Sequence, residues 1–253
     1  MNDHLREFES GAATDIGKLR LENEDSYLVL PESGIWAVAD GMGGLEAGAF
    51  ASATVVDALQ AIGETASLAD LCARCQDRLA KANQRLLRIA DEHGIRIGTT
   101  LAALLTHEGT YACLWAGDSR IYLVRDGRIT QMTRDHSEVA ELVAEGILSA
   151  EGAKTWARRN VITRAIGIYD ELDAEITQGI LEKGDIFIIC SDGLTAHVSD
   201  PEILEIARDK APQSACDALV ALTLERGAID NVTVIITRYL PRDGSRGHGP
   251  GLA

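Results

Sequence analysis

The 253-residue sequence contains no uninterrupted apolar run near the ~20 residues that a membrane-spanning helix requires. Its opening residues, MNDHLREFES, also lack the apolar core of a secretory signal. These two absences argue against an integral membrane protein and against export. The sequence therefore predicts a cytoplasmic protein.

Basic residues are scarce relative to acidic ones. The chain has 24 Lys and Arg against 39 Asp and Glu, which gives a formal net charge of −15. A field of this sign opposes sequence-independent binding to nucleic acid and to anionic membranes. The sequence thus predicts no nucleic-acid or membrane partner, and an anionic substrate would need a local cation.

The cysteines lack the pattern of a disulfide framework or a zinc site. There are five, an odd number, and only Cys72 and Cys75 are close together. Their C-x-x-C spacing falls in a helix-periodic stretch, and no second cysteine or histidine pair completes a tetrahedral site. We expect both thiols to serve ordinary helix packing.

Strand-like runs rich in Val, Ile and Thr are spread along the chain. They are GIWAVAD, TTLAALLT, TYACLWAGD, RIYLVRDGRITQMT, DIFIICSD and NVTVIITRY. The Asp126-Gly127 pair lies between two alternating runs and indicates a hairpin, so the sheets should contain antiparallel neighbours.

Helix signals fall between these runs. Helices are predicted over residues 45 to about 62 and 68 to about 93, the second beginning after the N-cap Ser67. Later, Pro201 is expected at the first helical position, and another helix is predicted over 211–226. Strands with helices between them favour an α+β fold of two packed antiparallel sheets flanked by helices.

Composition and length predict one domain over residues 1–240, since 46% of the residues are hydrophobic. The strand pattern lapses near 137–166 into a mostly helical insertion that contains Arg158, Arg159 and Arg164. Such an insertion can be a flap over a site or a surface helix pair. The glycine-rich end, 241–253, is predicted to be a disordered tail.

The stretch WAVADGMGG ends an apolar run with an acid, Asp40, and then glycines. A phosphate-binding turn is disfavoured because the carboxylate repels an anion, and the dinucleotide fingerprint fails at Glu46. An acid at a strand end before a tight turn suits a hard metal cation instead.

Further acids border strong apolar runs in the same way. Any one of them alone could be a turn residue or a solvated one. Asp126 lies in the predicted hairpin and Asp243 in the predicted tail, so both are excluded. The remaining candidates are Glu24, Asp25, Asp118, Asp192 and Asp230.

Asp40, Asp118 and Asp192 directly follow strands that look buried, and the ends of such strands can converge at one sheet edge. Several carboxylates gathered there could not all stay ionised without neutralising cations. A site of oxygen ligands without a histidine cluster favours magnesium or manganese over zinc or copper.

The order of these motifs resembles the PPM family, the metal-dependent type 2C protein serine/threonine phosphatases, especially its short bacterial members. The shared signatures, within residues 11–238, are GKLRLENEDS, VADGMGG, GTTLAALL, AGDSRIYL, TRDHS, ITRAIG, IICSDGL and DNVTVI. The resemblance implies a four-layer α-β-β-α sandwich with a metal site at one edge between the sheets.

The resemblance also implies a site with two tightly held Mn²⁺ or Mg²⁺ ions. By position, Asp40 would bridge the two ions, and the Gly41 carbonyl would help to hold one of them. Asp192 and Asp230 would bind the first ion. Glu24 would contact the second, directly or through water.

Three other residues receive roles by position. Arg20 would grip the substrate phosphate, which its fork of N–H donors suits better than a lysine would. Asp118 would bind a third, weaker ion. Asp25 would lie behind the metal ligands.

The implied activity is hydrolysis of phosphoserine and phosphothreonine in proteins by a water held between two metals, which lower its pKa. The expected partners are phosphorylated proteins and a bacterial serine/threonine kinase that the enzyme opposes, and the expected state is a monomer. Met42 replaces the histidine that many eukaryotic members have, and Ala196 replaces an aspartate of the longer SDGLWD motif. His136 is a candidate acid for the leaving group, although a hydrogen-bonded structural histidine is favoured.

Two other functions stay open. A phosphatase-like domain that has lost catalysis could act as a regulatory binding module, but its expected mark is a missing ligand and none is missing. A metal-dependent hydrolase of small phosphate esters would use the same residues.

Overall fold

The protein is described here by a computed structural model covering residues 7–44, 46–158 and 161–241. The predicted tail from 242 onward, Arg159 and the predicted helix start at Leu45 lie outside the described residues.

The strands form two sheets, and every pairing is antiparallel. In chain order they are β1 (Phe8–Asp15), β2 (Asp25–Leu30), β3 (Ile35–Met42), β4 (Gly98–Thr99), β5 (Leu101–His107), β6 (Thr110–Ala116), β7 (Arg120–Arg125), β8 (Arg128–Gln131), β9 (Glu175–Ile180), β10 (Ile186–Cys190) and β11 (Val232–Tyr239). One sheet has the order β1-β11-β10-β7-β8, and the other β2-β3-β5-β6-β9, with β4 paired to β3.

Helices cover the outer face of each sheet. They are α1 (Ala47–Gln60), α2 (Leu68–His93), α3 (Glu138–Ala144), α4 (Ala150–Lys154), α5 (Asp192–Thr195), α6 (Asp200–Asp209) and α7 (Pro212–Glu225), with a 3-10 turn at Pro31–Ser33. Helices α1 and α2 pack on the sheet that contains β3, and α6 and α7 pack on the sheet that contains β10.

The alternation of side chains along each central strand builds three apolar layers. In β3, Ile35, Ala37 and Ala39 face the helices, whereas Trp36 and Val38 face the other sheet. Strand β10 alternates in the same way between α6–α7 and the space between the sheets. Burial on both faces explains the near-continuous apolar runs in these strands. The predicted four-layer sandwich of two antiparallel sheets is confirmed.

Local signals fixed several elements correctly. Helix α2 spans the predicted residues, and its Ser67 hydroxyl accepts a hydrogen bond from the Asp70 backbone N–H at 3.1 Å. The predicted hairpin joins β7 to β8, with φ of +52° at Asp126 and +70° at Gly127. Cys72 and Cys75 belong to α2 and are buried in the apolar core, as expected from helix packing.

Other expectations need correction. Helix α6 is capped by Ser199, whose hydroxyl and backbone N–H pair with Glu202, so Pro201 is the second helical residue rather than the first. Helix α1 begins at Ala47. Strands β1 and β9 were not predicted, because FESGAATD and EITQGI carry polar and glycine residues in place of an apolar run.

The insertion at 137–166 is less helical than predicted. Among its described residues only α3 and α4 are helical, and both are short. An isolated bridge between Ser137 and Ile162 joins the two ends of the insertion to each other, and a second bridge, between Ile166 and Thr99, ties its C-terminal end to β4.

Candidate active site

The strand pairing brings the predicted acidic positions to one edge of the sandwich. Asp25, at the start of β2, is paired with Asp40 near the end of β3. On the other sheet, Cys190 at the end of β10 is paired with Arg120 at the start of β7. The turns before and after these strand ends therefore meet where the two sheets come together.

A cavity of about 300 Å³ opens at this edge. All seven residues that the sequence predicted for the site line it. The described lining residues are Arg20, Glu24, Asp40, Gly41, Met42, Gly43, Gly44, Thr100, Asp118, Ile162, Asp192, Asp230 and Asn231. Asp25 is not among the described lining residues and is buried.

The backbone of Asp40 is held from two sides. Its N–H donates to the Thr100 hydroxyl at 3.0 Å, and its carbonyl accepts from the Thr100 N–H at 2.8 Å and from the Thr99 hydroxyl at 2.9 Å. Thr100 lies between β4 and β5, so the interruption of the predicted strand 99–106 lets this residue bind Asp40. The carboxylate is thus presented from a fixed main chain.

Gly41 is required by close backbone approach. A Cβ at this position would lie 2.7 Å from the Glu24 carbonyl oxygen and would overlap the backbone of Gly48. The segments that carry Glu24, Asp40 and the start of α1 can therefore meet only because residue 41 has no side chain.

Asn231 is a site residue that the sequence analysis did not select. Its carbonyl oxygen accepts from the Glu24 N–H at 2.8 Å, and its amide donates to the carbonyls of Ile16 and Glu22, both at 2.9 Å. This one side chain fixes the loop that carries Arg20 and Glu24 beside Asp230. Its position directly after Asp230 was the available signal.

Burial and mutual repulsion raise the pKa values of several carboxyls at this edge. Removal from water, reinforced by Asp25 and Asp192, lifts the pKa of Asp40 well above its usual range. The same burial, with Asp192 nearby, raises the pKa of Asp118 to about 8. Burial followed by repulsion from Asp230 raises the pKa of Asp192 to about 6. The cluster is therefore costly to ionise without a cation.

The buried Asp25 belongs to the same electrostatic unit. Its Oδ2 accepts a hydrogen bond from the Ser191 hydroxyl at 2.8 Å, and burial raises its pKa to about 6. Its Oδ1 and the Oε1 of Glu24 are buried without a hydrogen-bond partner in the described structure. Unpartnered buried oxygens of this kind call for a proton or a cation.

The oxygen donors of these residues suit a hard divalent cation, although their side chains do not converge on one point. No three Asp, Glu, His or Cys side chains of the described ranges are arranged to hold an ion between them. Instead, Arg20 Nη2 donates to Asp230 Oδ2 at 2.6 Å. The cavity offers carboxylate and backbone oxygens and no described histidine or cysteine. This donor set suits magnesium or manganese.

His136 lies outside the lining of the cavity. Its ring is buried and stacked on Trp115, its Nδ1 accepts from the Gly117 N–H at 3.2 Å, and its Nε2 lies 3.2 Å from Glu175. Burial, followed by repulsion from Arg164, lowers its pKa. These contacts describe a structural histidine that holds the turn before Asp118.

We expect the metal-free protein, in excess chelator, to melt about 3 °C higher at about pH 6.5 than at about pH 8. The raised pKa values of Asp118 and Asp40 mean that the folded state binds more protons than the unfolded chain in this window. This contribution to stability is therefore lost as the pH rises toward 8. Scanning fluorimetry measures the melting temperature at the two pH values. Asp118→Asn should reduce the slope, and a melting temperature that rises with pH in the wild type would contradict the repulsion.

Comparison with known proteins agrees with the geometry. The family model described as protein phosphatase 2C matches residues 10–232. The serine/threonine protein phosphatase PstP of Mycobacterium tuberculosis is 36% identical over 234 residues, which are 92% of this chain and 45% of that protein. The chain therefore spans less than half the length of this curated relative.

Solved structures share the fold over nearly their whole length. PppA, a key regulatory component of T6SS in Pseudomonas aeruginosa, has a TM-score of 0.86 and 36% identity, covering 92% of this chain and 98% of that one. The catalytic domain of PstP in complex with two manganese ions has a TM-score of 0.84 and 33% identity, covering 93% and 99%. Within the described ranges, no helix has the length and apolarity needed to cross a membrane.

Proposed function

The chain belongs to the protein phosphatase 2C family, and on that premise we propose that it is a metal-dependent protein serine/threonine phosphatase. The observation that carries the proposal is the single cavity in which five acidic side chains, the Gly41 backbone and Arg20 come together. A phosphate monoester needs cations to approach such a cluster, and bound divalent ions would supply them.

The proposed ligands divide as the resemblance implied. Asp40 would serve both ions, and the Gly41 carbonyl would help to hold one of them. Asp192 and Asp230 would bind the first ion, and Glu24 the second, directly or through water. Bound ions would neutralise the substrate phosphate and lower the pKa of a water positioned between them to attack phosphorus. The PstP domain with two manganese ions supports two tight sites, and we propose Mn²⁺ over Mg²⁺ for this chain.

Several residues of this chain hold the proposed ligands and Arg20 in position. Asn231 holds the loop of Arg20 and Glu24, and Thr100 holds Asp40. Arg20 is 47% exposed in its side chain and reaches into the cavity from its rim. We propose that its guanidinium exchanges Asp230 for the substrate phosphate, since an arginine fork can bind two phosphate oxygens at once.

Other roles remain proposals of the same kind. Asp118 would hold a third, weaker ion, and the segment 137–166 would act as a flap, since Ile162 lines the cavity. A cognate serine/threonine kinase, a monomeric state and a cytoplasmic location stay predictions from the sequence.

A substrate comparison tests the proposed function. After metal reconstitution, the protein should release phosphate from phosphothreonine and phosphoserine peptides with a higher kcat/KM than from a panel of small phosphate esters. A preference for the small esters would favour the metabolite hydrolase. Absence of turnover on both, with metal bound, would favour the regulatory module.

We expect Arg20→Ala to raise KM for a phosphothreonine peptide about tenfold or more, because a charge-assisted pair of hydrogen bonds to phosphate is lost. Metal affinity should stay nearly unchanged, since the carboxylates remain. Peptide kinetics and calorimetry with Mn²⁺ measure the two effects. Arg20→Lys, which keeps the charge, should be intermediate. A collapse of metal affinity would make Arg20 a counter-ion of Asp230 instead.

A further inference from the structure

A second cavity, of about 570 Å³, adjoins the acidic one. Met42, Gly43 and Ile162 line both, so the two cavities share a wall. The shared wall joins the loop after Asp40 to the insertion 137–166. A chain segment bound across the first cavity would extend into the second.

The second cavity has the opposite charge from the first. Its described lining includes three arginines and no acidic residue, in a protein of net charge −15. The remaining lining is apolar or uncharged. The described residues of this cavity are Met42, Gly43, Arg96, Arg158, Val161, Ile162, Arg164, Ala165, Ile168 and Tyr169.

Two of the arginines are already neutralised. Arg158 pairs with Glu138 at 2.8 Å, and Arg164 pairs with Asp173 at 3.0 Å and with Glu175 at 2.7 Å.

Arg96 differs from both. It is exposed, and its side chain has no hydrogen bond or ion pair with any described residue. It therefore provides an uncompensated positive charge at this cavity.

The backbone places Arg96 firmly beside the metal-binding loop. Gly98, two residues later, is paired with Met42 through β4 and β3. Gly43 has φ of +146°, and a Cβ there would lie 2.6 Å from the Arg96 carbonyl oxygen. The main chain at Arg96 thus abuts the turn that follows Asp40. The Arg96 guanidinium therefore belongs to the cavity that adjoins the acidic one, not to a distant surface.

We propose that this cavity, centred on Arg96, binds an anionic side chain of the phosphoprotein substrate close to the residue being dephosphorylated. The group would be a carboxylate or a second phosphate, and the apolar wall would contact its aliphatic stem. The inference rests on the proposed function and adds a substrate class to it: phosphoproteins with acidic or doubly phosphorylated sequences.

The test compares three phosphothreonine peptides of one length. In one, the flanking residues are alanine; in the second, glutamates stand on both sides; in the third, one flanking residue is a second phosphothreonine. We expect the wild type to favour the acidic peptides in kcat/KM by about fivefold, the upper range for a partly exposed ion pair, with less preference at high salt. The glutamate and phosphate arms identify which anion the cavity prefers.

Arg96→Ala should abolish the preference, and Arg96→Glu should reverse it. The matched control is Arg128→Ala: Arg128 is exposed, and its in-register partner Arg125 is at the end of β7 remote from Asp118. This control should keep the preference. Melting temperatures of the Arg96 variants should match the wild type, since the side chain has no described partner.

Two results would overturn the inference while the proposed function stands: equal kcat/KM of the wild type for all three peptides, or an equal loss of preference in Arg96→Ala and Arg128→Ala, which would indicate diffuse charge. Failure to release phosphate from every peptide would instead overturn the proposed function, and the inference with it.

Discussion

Asp40→Asn is expected to lower phosphate release from a phosphothreonine peptide by more than about 1,000-fold, because the carboxylate proposed to serve both metal ions is lost. Metal affinity should fall at the same time. The fold should survive, since the Asp40 backbone keeps its bonds to Thr99 and Thr100. Removing one charge from the crowded cluster should leave the metal-free protein at least as stable at about pH 8.

Asp126→Asn is the matched control. Asp126 lies in the β7–β8 hairpin with φ of +52°, a conformation that asparagine tolerates. This variant should keep full activity and metal affinity. An Asp40→Asn protein that binds manganese like the wild type and turns over at a similar rate would show that Asp40 is not a ligand.

Asp118→Ala is expected to slow turnover by about 100-fold, within the range for loss of general acid assistance, while both tight ions stay bound. Asp118 lines the cavity next to Asp192, whose charge helps to raise its pKa. Asp118 would hold the proposed third ion, which would acidify a water able to protonate the leaving group, because Met42 provides no acid there. Stoichiometry by calorimetry and turnover of the same preparation measure the two effects.

Asp118→Asn separates charge from shape, since it keeps the size of the side chain. It should be about as slow as the alanine variant. Near-normal turnover in both would remove Asp118 from leaving-group protonation. Loss of the tight ions would place it in the primary site instead.

Local sequence signals predicted the elements whose formation depends on residues close together in the chain. Helix α2 has its cap at Ser67, and the β7–β8 turn has its two left-handed residues. Strands β1 and β9 were not predicted because they are edge strands, each paired on one side only. Edge strands need less apolar sequence, so their pattern is weak. The cap of α6 moved to Ser199 because Glu202 completes a reciprocal pair there.

The residues of the site also differ in whether the sequence alone could predict them. Acids at strand ends were visible in the sequence, and the strand register explains why they converge. The bond from Arg20 to Asp230 and the bonds of Asn231 join residues about 200 positions apart, so no local pattern could reveal them. Arg96 had no motif at all. The role that we propose for Arg96 depends on the pairing of Gly98 with Met42, which only the fold supplies.

The charge arrangement around the two cavities explains how an acidic protein could accept an acidic substrate. The carboxylates of the first cavity would be neutralised by divalent ions, while Arg20 at its rim and Arg96 beside it remain cationic. Substrate use should therefore depend on metal and on salt together, through different residues.

We propose that this carboxylate cluster holds the metal ions on which phosphate release depends. A stepwise manganese titration of chelator-stripped protein, in which bound metal and phosphate release from a phosphothreonine peptide are followed together, tests this dependence. We predict no release from the stripped protein and a rise in activity as the second equivalent of manganese binds. Full activity in excess chelator, or tight binding of two ions without any phosphate release, would show that release does not depend on metal bound at this cluster.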